Sequence, residues 1–216
     1  MSLHTLSHVH RFVPGTEPAR PPLLLLHGTG GDENDLLPLG QAILPGAALL
    51  SPRGPVLENG MPRFFRRLAE GVFDQSDVRQ RANELADFVT EARKRYDLAA
   101  PVAVGFSNGA NIAAALLMLR PGTLAGAVLI RPMVPLAEMP AVDLRGLPIL
   151  MLSGAMDPIA RPDEARRLAH AFIERGAGLE HRVLPASHGL SQGDVTIAKD
   201  WLARSASPAE LLANRV

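Results

Sequence analysis

The sequence predicts an α/β protein built on one mostly parallel sheet of about seven strands, with helices on both faces. Short apolar segments alternate with longer amphipathic ones along the whole chain. Some apolar segments, such as Leu23–Leu26 and Ile149–Leu152, are apolar at every position, which is typical of strands buried on both faces. The chain has 216 residues, of which 47% are hydrophobic and 20% charged, and this favours a single folded domain over residues 1–216.

The predicted strands are the short apolar segments Leu6–Val13, Leu23–His27, Ala47–Ser51, Pro101–Phe106, Leu124–Ile130, Leu147–Ser153 and Leu179–Pro185. The predicted helices between them are Leu36–Leu44, Val78–Tyr96, Asn108–Arg120, Pro162–Arg175 and Ser191–Arg204. Asp77 is the expected N-cap of the second helix. Two irregular stretches, Arg53–Phe73 and Arg131–Arg145, are the expected ligand-holding loops. Neither is long enough to form a large cap domain over the sheet.

Composition excludes several classes of function. Lys and Arg number 22 and Asp and Glu also number 22, so there is no net positive charge to favour a nucleic-acid partner. The absence of cysteine excludes disulfides, thiolate metal sites and cysteine nucleophiles. The start of the chain lacks the apolar core of an export signal, and the longest apolar run, Ile112–Leu119, is far below the ~18 residues of a membrane span. We expect a cytoplasmic protein with no membrane association.

The strongest chemical signal is Gly105-Phe106-Ser107-Asn108-Gly109, which follows a predicted strand and begins a predicted helix. This strand–turn–helix context is what a nucleophile elbow requires, because the turn lifts the serine hydroxyl above the sheet and glycines on both sides avoid clashes. The helix N-terminus also directs partial positive charge at developing negative charge. A chance glycine-serine turn is the alternative, and the two flanking elements argue against it.

A second glycine-rich segment, His27-Gly28-Thr29-Gly30-Gly31, directly follows the strand at Leu23. Its spacing fits neither a dinucleotide loop, because Glu33 stands where a glycine is needed, nor a P-loop. We expect the backbone N–H groups of Thr29 and Asn108 to form an oxyanion hole. His27 is expected to orient this loop rather than to act as a base.

A serine nucleophile needs a histidine base and an acid that orients it, in the chain order serine, acid, histidine. His188 is the histidine beyond Ser107 that lies in a loop just after a strand, since His170 and His181 lie within a predicted helix and strand. Asp157 follows the strand that ends at Ser153, at the same sheet edge. Four other acids, of less suitable position or order, are alternatives to it: Asp143, Asp163, Glu164 and Asp194.

Two further groups of residues have weaker signals. His8 and His10 share one strand face and could bind a metal together with His4, but a surface strand explains them better, so no metal site is predicted. Apolar side chains in the two irregular stretches are candidates for substrate binding: Met61, Phe64, Phe65, Phe73, Met133 and Val134.

These motifs resemble those of the α/β-hydrolase superfamily. Within it, the chain is similar to small bacterial carboxylesterases of the phospholipase/carboxylesterase family, which also includes acyl-protein thioesterases. The resemblance covers Leu23–Leu202 and rests on the His27 and Ser107 motifs, on Asp157-Pro158-Ile159 and on His188-Gly189-Leu190. It implies Ser107 as nucleophile, His188 as base and Asp157 as its partner, with no cofactor or metal. It is also compatible with a homodimer, although no sequence feature locates an interface.

The expected function is therefore hydrolysis of small-molecule carboxylic esters, with short-chain or aryl esters preferred. Thioesterase branches usually have leucine and glutamine where this chain has Thr29 and Asn108, which favours small esters over protein-bound acyl groups. A thioesterase or a lactonase with the same triad is the alternative within enzymes. A fold relative that binds a ligand without turnover is the alternative from another class.

Overall fold

A computed structural model describes residues 6–205, which form eleven strands and five helices. In chain order the strands are β1 (His10–Val13), β2 (Leu23–Leu26), β3 (Leu49–Pro52), β4 (Val56–Glu58), β5 (Met61–Arg63), β6 (Arg67–Ala69), β7 (Val72–Phe73), β8 (Val102–Phe106), β9 (Gly126–Ile130), β10 (Pro148–Gly154) and β11 (Gly178–Leu184). The helices are α1 (Leu37–Ile43), α2 (Gln75–Tyr96), α3 (Asn108–Leu119), α4 (Pro162–Glu174) and α5 (Gln192–Ser205).

Seven strands form the central sheet in the order β1-β3-β2-β8-β9-β10-β11. Only β1 within this sheet runs antiparallel to its neighbour, so the predicted fold class is confirmed. Because the remaining strands are parallel, β8, β9 and β10 end at the same edge of the sheet. The segments that follow these strands contain Ser107, Arg131 and Asp157.

Two hydrophobic clusters cover the two faces of the sheet. Alternate residues of β2 illustrate this arrangement, because Leu24 and Leu26 pack with α2, α3 and α4, whereas Leu23 and Leu25 pack with α1 and α5. All four side chains have 0% exposure, in agreement with the uninterrupted apolar pattern of a doubly covered strand. No helix within residues 6–205 is both long enough and apolar enough to cross a bilayer.

Several local expectations were wrong. The segment expected to be irregular from Arg53 to Phe73 contains two small hairpins, β4–β5 and β6–β7. The N-cap of α2 is Asp74, whose side chain accepts the backbone N–H of Asp77. Asp77 itself is buried and accepts the backbone N–H of Arg66 at 2.7 Å, so it fixes the hairpin segment against the helix.

The N-terminal histidines also differ from the expected surface strand. His8 is buried, with its ring 4.8 Å from the ring of Phe88. His10 lies in β1, and its Nε2 is 2.8 Å from the hydroxyl of Tyr96. Both imidazoles are thus engaged in packing or hydrogen bonding within the protein, while His4 lies outside the described residues.

Candidate active site

Ser107 lies in a sharp turn between β8 and α3. Its φ of 51° and ψ of −112° are strained values for a residue with a side chain. The turn is tight enough that a Cβ atom on Gly105 would lie 2.5 Å from the backbone oxygen of Gly109, and one on Gly109 would overlap the backbone oxygen of Leu26. The glycines on both sides of Ser107 are therefore required by close backbone packing, as a nucleophile elbow demands.

Three side chains form one hydrogen-bonded chain above the sheet edge. The Ser107 Oγ lies 2.9 Å from His188 Nε2, and His188 Nδ1 lies 2.8 Å from Asp157 Oδ2. Asp157 follows β10, and His188 lies in the loop between β11 and α5. This arrangement brings together the three residues that the sequence analysis selected, over separations of 81 and 31 positions.

The Asp157 carboxylate is buried and highly constrained. Its Oδ1 accepts the backbone N–H groups of Ile159 at 2.8 Å and Ala160 at 2.9 Å. The side chain of Asp157 has 0% exposure, whereas that of His188 retains 20%. A carboxylate that accepts two backbone N–H groups is held in one orientation. In this orientation Oδ2 and Oδ1 lie 2.8 Å and 3.0 Å from His188 Nδ1. The imidazole therefore carries its proton on Nδ1 and presents a lone pair at Nε2 to the serine hydroxyl.

The alternative acids lie elsewhere or have other partners. Asp143 pairs with Arg145 on the surface, and this contact lowers the pKa of Asp143 to about 2. Asp163 pairs with Arg161 at the exposed start of α4. Glu164 pairs with Arg167 in the same helix. Asp194 is buried, and it forms an ion pair with Arg131 rather than a contact with His188.

The Thr29 and Asn108 backbone N–H groups have no hydrogen-bond acceptor among residues 6–205. Both segments are fixed by the hairpin β4–β5 and the residue after it. Gly30 N–H donates to Pro62 O at 3.0 Å, and Phe64 N–H donates to Asn108 Oδ1 at 2.8 Å. The two segments that carry these free N–H groups are thus both hydrogen-bonded to the stretch from Pro62 to Phe64.

A buried arginine completes the support of the glycine-rich loop. Arg63 is 3% exposed, donates to Thr29 Oγ1 at 2.9 Å and forms an ion pair with Glu58 at 3.2 Å. Burial lowers the pKa of Arg63, while the negative charge of Glu58 acts in the opposite direction. The sequence analysis did not assign this supporting role, since Arg63 is one of several arginines in an apparently irregular segment.

His27 has the loop-orienting position that was expected of it. Its Nδ1 lies 2.7 Å from Gly28 O, and its Nε2 accepts the backbone N–H of Gly54 at 2.9 Å. Burial lowers the pKa of His27, which favours the neutral ring that can accept this hydrogen bond. No hydrogen bond connects His27 to Ser107 in the described part of the chain.

The six candidate pocket residues lie in three different settings. Phe64 and Phe65 are at most 1% exposed, because they pack in the main hydrophobic core, and they present no surface to a substrate in this structure. Phe73, Met133 and Val134 line an open groove of about 620 Å³, together with Pro158 and Ile159 directly after Asp157. Met61 is 40% exposed and lies beside Gly30.

The comparisons with known proteins agree with this architecture. Residues 8–206 match the Phospholipase/Carboxylesterase family. The chain belongs to this family. It is 46% identical over 181 residues to the protein named "Putative hydrolase MhqD" of Bacillus subtilis (strain 168). The aligned region covers 83% of this chain and 90% of that protein.

Two solved structures of carboxylesterases are also similar to this family member. The Bacillus cereus carboxylesterase is 45% identical, with a TM-score of 0.90 over 92% of this chain and 95% of that one. The carboxylesterase from Mesorhizobium loti is 34% identical, with a TM-score of 0.88 over 93% and 97%. The chain is thus an enzyme of the carboxylesterase-type hydrolases with an α/β-hydrolase fold.

Proposed function

We propose that the protein is a serine esterase in which Ser107 is the nucleophile, His188 the general base and Asp157 the residue that orients the base. The hydrogen-bonded chain from Ser107 Oγ through His188 to Asp157 carries this proposal. His188 Nε2 is within 2.9 Å of the hydroxyl whose proton it would remove, which is the distance that general-base catalysis requires.

In the proposed reaction Ser107 Oγ attacks the ester carbonyl as His188 takes its proton. The negative charge that develops on the carbonyl oxygen is stabilised by the N–H groups of Thr29 and Asn108 and by the N-terminus of α3. His188 then gives the proton to the leaving alkoxide, which departs as an alcohol. Water activated by the same imidazole hydrolyses the acyl-enzyme, and the carboxylic acid is released.

Small esters with short acyl chains or aryl groups are the proposed substrates. The groove at Pro158 and Ile159, which directly follow Asp157, has a volume of about 620 Å³. Its lining includes the apolar Phe73, Met133 and Val134 as well as charged residues of the start of α4. This volume lies within the usual range for small-molecule sites. An open groove of this kind offers apolar contacts to a small alcohol or acyl group and does not enclose a long chain.

A fluorophosphonate probe tests the proposal directly, because it reacts covalently with an activated serine. We expect the purified protein to be labelled and to hydrolyse p-nitrophenyl acetate. We expect Ser107→Ala and His188→Ala to lose labelling and to keep only a small residual rate of hydrolysis. A thioesterase or lactonase would be labelled in the same way but would prefer acyl-thioester or lactone substrates in parallel assays. A binding protein without turnover would remain unlabelled, and that result would refute the proposal.

A further inference from the structure

Arg131 is an unusual residue in a position next to the candidate site. It directly follows β9, its side chain has 0% exposure, and its φ is 55°. Both burial of a charge and a positive φ at a residue other than glycine cost free energy. A residue that carries both costs persists only where its surroundings hold it firmly.

The guanidinium of Arg131 is bound on all sides. It forms a two-point ion pair with Asp194, in which Nη1 and Nη2 each lie 2.9 Å from one carboxylate oxygen. Nη1 also donates to Leu152 O at 3.1 Å. The two remaining contacts go to the carbonyl oxygens of Ser187, at 2.9 Å from Nε, and Gly189, at 3.4 Å from Nη2. These are the residues immediately before and after His188.

Asp194 binds the other end of the same loop. Its Oδ2 accepts the backbone N–H of Ser191 at 2.8 Å and the Ser191 hydroxyl at 2.7 Å. Asp194 is itself 0% exposed, in the first turn of α5. The ion pair thus holds the loop from Ser187 to Ser191 on both sides of His188, while the imidazole remains 20% exposed.

The backbone of β9 connects this ion pair to the other two residues of the proposed triad. Ile130, the residue before Arg131, accepts the backbone N–H of Ser107 at 2.8 Å. The backbone N–H of Arg131 donates to Leu152 O at 2.8 Å, in the strand that leads to Asp157. Arg131 therefore lies where the chain segments that carry Ser107, Asp157 and His188 meet.

We propose that Arg131, in its ion pair with Asp194, is a positioning residue that keeps His188 Nε2 within hydrogen-bond distance of Ser107 Oγ. This inference rests on the proposed serine-esterase function. Buried ion pairs often contribute no more stability than an apolar pair of similar volume. What an apolar pair cannot replace is the donation to the carbonyl groups of Ser187 and Gly189. The effect is on geometry, because the pair is neutral and does not reach the open groove.

The test compares stability with activity in variants of the full chain. Arg131→Met alone leaves Asp194 buried without a partner, so the decisive variant is Arg131→Met/Asp194→Leu, which removes both charges together. We expect its melting temperature to exceed that of Arg131→Met. We expect its kcat for p-nitrophenyl acetate to fall by at least about 10-fold with KM within about twofold, because small displacements of a catalytic group cost up to about 10²-fold in rate.

Arg131→Lys is a second variant that keeps the charge. An ammonium group cannot reach Asp194 and both carbonyl groups at once, so we expect kcat to fall although the protein stays folded. The control is Arg175→Met, because Arg175 also donates to three carbonyl groups, those of Met139, Pro140 and Ala171, but lies away from the triad. We expect its kcat to equal that of the wild type.

A double-mutant cycle distinguishes positioning of His188 from a general structural role. Loss of the ion pair should not lower the residual activity of His188→Ala any further, whereas a general loss of structure would lower it in both backgrounds. The proposal is overturned if a folded Arg131→Met/Asp194→Leu or Arg131→Lys variant keeps wild-type kcat, or if the loss is equal in the His188→Ala background. Full activity of Ser107→Ala would instead refute the proposed function itself.

Discussion

Replacement of Asp157 by asparagine is the most informative single change in the proposed triad, because the structure predicts the orientation of the new amide. The Asp157 Oδ1 accepts two backbone N–H groups, from Ile159 and Ala160, at 2.8 and 2.9 Å. An asparagine at this position must keep its carbonyl oxygen there, since its NH₂ group cannot accept those hydrogen bonds. The NH₂ group then takes the place of Oδ2, which at 2.8 Å is closer to His188 Nδ1 than Oδ1 is at 3.0 Å.

A donor at this place reverses the tautomer of His188. At the closer of the two contacts the imidazole accepts from the new NH₂ group only when it gives up its Nδ1 proton and carries the proton on Nε2. Nε2 then has no lone pair with which to accept the Ser107 proton. The corresponding change in a serine protease lowers kcat by about 10⁴. We therefore expect kcat to fall at least about 10²-fold, equivalent to about 2.7 kcal/mol in the activation free energy.

Steady-state hydrolysis of p-nitrophenyl acetate measures this loss, and circular dichroism verifies the fold. The protein should remain folded, because asparagine keeps both backbone hydrogen bonds of Asp157. Asp143→Asn is the matched control, since Asp143 is an exposed acid that contacts Arg145, no member of the triad and no part of the groove. A folded Asp157→Asn variant with more than a tenth of wild-type kcat, or a larger loss in Asp143→Asn, would show that the triad is assigned incorrectly.

Three further predictions concern substrate, metal and pH. In a series of p-nitrophenyl esters from two to sixteen carbons, kcat/KM should be highest for short acyl chains, and a steady rise to sixteen carbons would contradict the proposed open groove. Treatment with EDTA should leave activity unchanged, and a loss that zinc restores would instead support a histidine metal site. Burial lowers the pKa of His8, His27 and His181 below the usual 6.5, so the unfolded chain binds more protons as the pH falls below that value. The free energy of unfolding in urea should therefore be highest above pH 6.5 and should decrease toward pH 5. The decrease should be smaller in His8→Gln. Equal stability of the wild type at pH 7 and pH 5 would refute this reasoning.

The sequence was sufficient to predict the central sheet and the three residues that the structure brings together at its edge. Continuous apolar segments indicate doubly covered strands, and parallel strands deliver the residues after them to one edge. Ser107 and Asp157 could therefore be placed together without knowledge of any contact between them. His188 could be selected because the other two histidines beyond Ser107 lie within a helix and a strand.

The supporting residues could not be predicted in the same way. The strands β4 to β7 have two or three residues each, too few to show the alternation that identifies a strand. Arg131 and Asp194 are separated by 63 positions, and an acid in the first turn of a helix has an ordinary local explanation. The one available signal was the position of Arg131, a charged residue directly after a wholly buried strand.

These two groups of supporting residues act on opposite sides of the reacting carbonyl in the proposed mechanism. The β4–β5 hairpin and Phe64 hold the segments of Thr29 and Asn108, the side where negative charge would develop. The Arg131–Asp194 pair holds the loop of His188, the side where the proton would move. No hydrogen bond or ion pair among residues 6–205 joins the two groups directly, so their effects on activation free energy should add when both are altered. Substitutions in the β4–β5 hairpin should lower kcat and not only alter KM, although the hairpin lies outside the triad. The reason is that the hairpin positions the N–H groups that would stabilise the developing negative charge.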